Sequence, residues 1–156
     1  MNDDDGGHPR VLVSNRMSSD TPAPHEHALT GLARETLLAE GHEQVELSLS
    51  FVDDDEMARL HERYMQEAGP TDVLTFPLDD DDVDESGVRV LGDVVVCPAV
   101  AQRQAPDHAG SYDDEMALLV VHGVLHVLGH DHAEPEETAV MQARERDLLD
   151  RFHHRR

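Results

Sequence analysis

Between His122 and His132 the chain reads HGVLHVLGHDH, four histidines and an aspartate in a protein otherwise short of aromatic side chains. His122 and His126 stand four residues apart, so on a helix both imidazoles project from one face about a turn from each other and can share one ion. The helix is expected from its neighbours. Ser111 with Asp114 three residues on makes an N-terminal cap, and the stretch from Met116 to Leu128 is apolar almost all round, the pattern of a buried helix. Gly129 closes it in the left-handed C-terminal position, turning the chain so that Asp131 and His132 swing back toward the helical pair. Burying three neutral imidazoles there costs roughly a few kcal/mol apiece unless each is bonded. The pattern therefore points to a metal site with His122, His126 and His132 as ligands. Zn²⁺ suits nitrogen donors with an open fourth position, and Ni²⁺ or Fe²⁺ also fit. Asp131 has two readings, a carboxylate that steadies a ligand imidazole from behind or plain turn chemistry past a helix end. His130, between ligands, is expected to face solvent.

The offsets 122, 126, 129 and 132 resemble those of the metzincin zinc proteases, with one break. In those proteases a glutamate general base follows the first histidine. Here Gly123 stands in its place and can neither take a proton nor aim a water. The cage is kept and the peptidase base is not.

At 156 residues the chain is long enough for one domain with a real core. No apolar run approaches a membrane span and no signal-peptide pattern opens the sequence, so a cytoplasmic protein is expected. The single Cys97, after the apolar LGDVVV, reads as a small core residue in a reducing compartment. The formal charge is −22, and all twelve side-chain cations besides histidine are arginine. Such a surface suits high salt, where charge screening is short-ranged. It also opposes nucleic-acid binding, because affinity for a phosphate backbone comes from cations that release counterions, so a local arginine patch would have to overcome it.

The elements that must position the histidines follow from periodicity. Residues 1–9 read as a disordered acidic tail, and residues 10–156 as one metal-dependent hydrolase domain. VLVSN is a first strand, and Leu29, Leu32, Ala33 and Leu37 make a helical stripe ended by Gly41. Val45, Leu47, Leu49 and Phe51 alternate as a strand. Asp53 and Glu56 look like a capping pair for a helix whose face is Met57, Leu60, His61 and Tyr64, with His61 as packing. TDVLTFP and VRVLGDVVVC are two more strands, separated by the solvated loop DDDDVDESG. A short helix from Pro98 to Gln104 leads to the histidine helix, and Pro135 opens a last one. The order βαβαββααα predicts an α+β fold, a single domain with about four strands in a mixed sheet, helices packed on it, and a buried central metal-binding helix.

PTDVLTFP, LGDVVVCP and HGVLHVLGHDH, in that order, closely resemble the YbeY family of bacterial rRNA maturation factors, across nearly the whole chain after the tail. The resemblance implies a cytoplasmic, zinc-dependent single-strand endoribonuclease acting in 16S rRNA 3′-end maturation and ribosome quality control. Its partners would be single-stranded rRNA and the small ribosomal subunit or its assembly proteins, and His122, His126 and His132 would be the zinc ligands. Many members carry an arginine after the tyrosine that precedes the Pro-Thr-Asp block, where it is thought to meet a phosphate; here Met65 stands there. Arg63 lies about 200° round a helix from that position and compensates only if the helix has already ended. Arg59, one turn earlier, is the better candidate for backbone contact, or is simply solvated. With no glutamate after His122, proton transfer falls to the activated water itself, to Asp131, or to a carboxylate from elsewhere. Asp72 is the first such candidate, with a turn-bonding role as its alternative. A ribosome-assembly binding factor with a zinc site and weak or no nuclease activity remains the alternative to an enzyme.

Overall fold

Four runs rich in β-branched and aliphatic residues pair into one sheet, β1 (Arg10–Asn15), β2 (Val45–Phe51), β3 (Val73–Pro77) and β4 (Arg89–Val96). The computed structural model describes residues 8–78, 83, 85–130 and 134–153. The spatial order is β1-β2-β4-β3, with β1, β2 and β4 parallel and β3 antiparallel at the edge. The helices are α1 (Glu26–Ala39), α2 (Asp54–Met65), α3 (Pro98–Gln104), α4 (Tyr112–Val127) and α5 (Pro135–Phe152), with a 3₁₀ turn at Ala105–Asp107 after α3. This is the expected α+β domain, and the short helix begins and ends where the sequence placed it.

The sheet is covered on both faces. Leu47, Leu49, Phe51, Val94 and Val96 join α1, α4 and α5 in the main core. Leu74 and Val95, whose side chains point the other way along their strands, join Cys97 and Met57 of α2 in a smaller cluster. The helix α4 therefore lies on one face and α2 on the other. Gly92 permits the edge to close, since its φ is +138° and a Cβ there would stand 2.2 Å from the Phe76 carbonyl oxygen. The register between β2 and β4 shifts beside it, at Glu46 and Leu47.

One local expectation needs correction. Asp53 does sit at the N-cap of α2, but its side chain makes no cap bond. Its Oδ2 instead accepts from the backbone N–H of Ser18 at 2.7 Å, and Glu56 pairs with Arg16, so both carboxylates tie the segment after β1 to this helix. The cap geometry lost to a stronger offer from elsewhere in the chain. The acidic loop contributes Val83, bridged to Arg89, and a turn at 85–87, while Asp79–Asp82 and Asp84 lie outside the described residues. Of the expected tail, residues 1–7 lie outside them as well; Pro9 is buried and its carbonyl accepts from Arg34 Nε at 3.3 Å.

Candidate metal centre

Ser111 Oγ accepts from the Asp114 N–H at 3.1 Å and starts α4 as the sequence predicts. At the other end the His130 N–H reaches the Leu125 carbonyl and the Gly129 N–H the His126 carbonyl, both at 3.0 Å, with Gly129 at φ +106°. Those paired bonds are the Schellman closure, and they aim the chain out of the helix. Between these ends His122 and His126 share a face, their ring centroids 6.2 Å apart.

Each ring is oriented by a neighbour. His122 Nδ1 lies 2.6 Å from Glu145 Oε2 on α5. A carboxylate only accepts, so the hydrogen is on Nδ1 and the ring's lone pair is on Nε2. His126 Nδ1 meets Thr75 Oγ1 of β3 at 3.0 Å. A carboxylate behind a coordinating imidazole fixes its tautomer and raises its basicity, so Glu145 leaves His122 able to offer Nε2 to a divalent ion. Both Asp131 and His132 lie outside the described residues, among which no group of three or more His, Cys, Asp or Glu is gathered as a cage.

Gly123 has a physical reason. A Cβ at this position would stand 2.6 Å from Val94 Cγ1, because α4 lies directly on β4. The glutamate of the proteases cannot be built there without moving a fully buried valine.

His130 is not free in solvent but part-buried and bonded. Its Nε2 lies 3.1 Å from Glu40 Oε1, and Arg144 Nε bonds the other oxygen of Glu40, so the turn after α4 is tied to the ends of α1 and the middle of α5. Burial pushes the Glu40 carboxyl up, but its bonds to Arg144 and His130 outweigh this and hold it below its usual value.

Asp72 is brought to the site. It lines, with His122 and Glu145, a cavity of about 350 Å³ between β3, α4 and α5. Arg59 and Arg63 are not: they stand on α2, across the sheet from the two histidines, exposed and without an ion pair among the described residues. Because α2 runs on through Met65, Arg63 stays on the helix, its guanidinium 5.5 Å from the Tyr64 ring, and does not replace the side chain at position 65. Cys97 is fully buried, and burial pushes its thiol to about 11, as befits a core residue.

Sequence reasoning missed Glu145, Thr75 and the fully buried Glu115. Two had a readable signal. Glu145 interrupts the apolar stripe Met141, Leu148, Leu149 of α5, and Glu115 stands seven residues before His122 on the same face of α4. A carboxylate on a buried stripe needs a partner.

A family profile described as endoribonuclease YbeY matches residues 14–153. The chain is 47% identical to endoribonuclease YbeY of Beutenbergia cavernae over 88% of its own length and 95% of that protein. It is 42% identical to the Mycolicibacterium smegmatis protein of the same name, over 91% of this chain and 82% of the other. The solution structure of TM1509 from Thermotoga maritima shares the fold, with a TM-score of 0.59 at 23% identity over 90% of both chains. With the three sequence blocks on one sheet and one helix, and a match that spans nearly every described residue, the chain belongs to the YbeY endoribonuclease family.

Proposed function

We propose that this chain is a zinc-dependent, single-strand-specific endoribonuclease of the cytoplasm that acts in 16S rRNA 3′-end maturation and ribosome quality control. Its partners in this reading are single-stranded rRNA and the small ribosomal subunit or its assembly proteins. Cleavage of RNA phosphodiester bonds comes with the family. The zinc rests on one observation, two imidazoles on one helix face whose Nδ1 atoms are held by Glu145 and Thr75.

His122, His126 and His132 would hold the ion, which when bound supplies Lewis acidity at a phosphodiester. The chain's own residues do the rest. Glu145 fixes the tautomer of His122, and Thr75 orients His126 against the sheet. Leu118, Leu119 and Met141 line the cavity beside His122 and keep that wall apolar. Among the described residues no helix is long and apolar enough to cross a membrane.

The test is metal analysis of the purified protein with cleavage of single-stranded and duplex RNA, before and after chelation. One equivalent of zinc, cutting of the single strand only, and loss of cutting on chelation support the reading. Cleavage that survives complete metal removal overturns it. A ribosome-assembly binding factor with weak or no nuclease activity is the second reading, favoured by the placement of Arg59 and Arg63 away from the histidines and by Met65. Full zinc with no cleavage would select it.

A further inference from the structure

The nuclease site needs a group that accepts a proton, and of the two carboxylates that the sequence offered, Asp131 lies outside the described residues and Asp72 is already bonded. Position 123 has no room for a side chain. Asp72 is engaged through both oxygens, Oδ1 accepting from the Val73 N–H at 2.7 Å and Oδ2 from Gln104 Nε2 at 2.8 Å. Glu145 is engaged by His122.

Among the described residues the same cavity has one more basic side chain, His108. It follows the 3₁₀ turn and is bound to Glu115, a carboxylate with no exposed surface. Glu115 accepts from His108 Nδ1 at 2.8 and 2.9 Å, from the Ala109 N–H at 3.1 Å and from the other hydrogen of the Gln104 amide at 2.8 Å. The carboxylate has no hydrogen to give, so His108 carries its hydrogen on Nδ1 and its lone pair on Nε2, at the opposite edge of the ring. The His108 side chain is 55% exposed while its partner is sealed, and Nδ1 is the nitrogen that faces the sealed carboxylate. A buried carboxylate that fixes an imidazole with Nε2 outward is the arrangement by which histidine serves as a base. The Gln104 amide links this dyad to Asp72, so the loop between α3 and α4 and the start of β3 are held as one unit. Among the described residues the charged groups near His108 include Asp107 beside it in the chain, Glu115 on α4, Asp72 beyond the amide, and Glu145 with His122 across the cavity.

We propose that His108 is a catalytic residue of the nuclease, the general base whose Nε2 takes a proton from the attacking water. As the water oxygen bonds to phosphorus, its proton passes to Nε2. The bond from phosphorus to the leaving oxygen breaks with its electron pair on that oxygen, which then takes the proton from His108. One water is consumed, and the products are a phosphomonoester and a hydroxyl. Glu115 is a positioning residue that sets the ring. The inference rests on reading this cavity as the nuclease site.

The experiment uses the full zinc-loaded chain on single-stranded RNA, with His108→Ala and His108→Gln beside the parent. Cleavage should fall about 10²-fold in both variants. Zinc content should stay at the parental value in both variants; His108→Ala should lose some melting temperature, because Glu115 loses a partner, and His108→Gln, whose amide can still donate to Glu115, should lose less. Added imidazole should restore cleavage several-fold in His108→Ala, where the removed ring leaves room, and not in His122→Ala. Cleavage within twofold of the parent, or a loss that imidazole does not relieve, overturns the role of His108 and leaves the function standing. A parent that cuts no RNA overturns both.

Discussion

The two faces of the sheet are built differently. Under α4 the strands meet a large core, and the two histidines on that helix are each gripped at Nδ1 by a residue from another element, Glu145 or Thr75. Under α2 the apolar cluster is small, and Arg59 and Arg63 project from its outer side with no ion pair among the described residues. Other arginines anchor that helix or its surroundings, Arg16 on Glu56 and Arg103 on Asp54. The difference separates two kinds of polar group. A ring that must be aimed to a fraction of an ångström is placed where packing leaves it no alternative. A cation that meets a phosphate backbone needs only exposure, and can sit on a thinly packed helix.

The contrast can be broken most violently at Gly123. Gly123→Glu restores the protease base in sequence, yet drives a charged side chain into Val94, and should cost about 3 kcal/mol or more of stability, measurable by urea unfolding. A variant as stable as the parent would show that α4 does not lie tight on the sheet. Glu145→Gln keeps the shape but weakens the acceptor behind His122, so zinc affinity should fall by about 10–100-fold in a competition titration. An unchanged affinity would reduce Glu145 to packing.

On the other face, Arg59→Ala and Arg63→Ala should leave zinc and stability at parental values. If either side chain touches a phosphate, binding of a single-stranded oligonucleotide loses about one counterion from its salt slope. An unchanged slope removes that arginine from the RNA path. The smallest effect concerns Glu40, which Arg144 and His130 hold below its usual 4.5. A lowered folded value means stability that is fully present above the unfolded pKa and lost as pH falls through the folded one. The stability gap between the parent and Glu40→Gln should therefore be constant at neutral pH and shrink below about pH 4.5. A gap independent of pH would contradict the pairing.

The order of elements was legible because each carries a local rule, alternation in β2, the Ser111 cap and the Gly129 turn around α4. The shared face of His122 and His126 was legible for the same reason, since spacing along one helix fixes it. What brackets them was not. Glu145 lies on a helix 23 residues further on, and Thr75 on an edge strand, and nothing local says that either faces an imidazole. Asp53 and His130 show the converse, local chemistry overruled by a partner from a distant segment, Ser18 in one case and Glu40 in the other. Asp72 was picked out as a carboxylate near the site, but the neighbours that occupy its oxygens come from α3 and the backbone of β3.

The central claim is that His122 and His126 are donors to one metal ion on which cleavage depends. Metal content and single-stranded RNA cleavage should be measured together on the parent, His122→Ala and His126→Ala. The account predicts about one equivalent of zinc in the parent, a sharp loss of metal in either variant, and cleavage that falls with it. Either variant retaining a full equivalent of zinc and parental cleavage would contradict it.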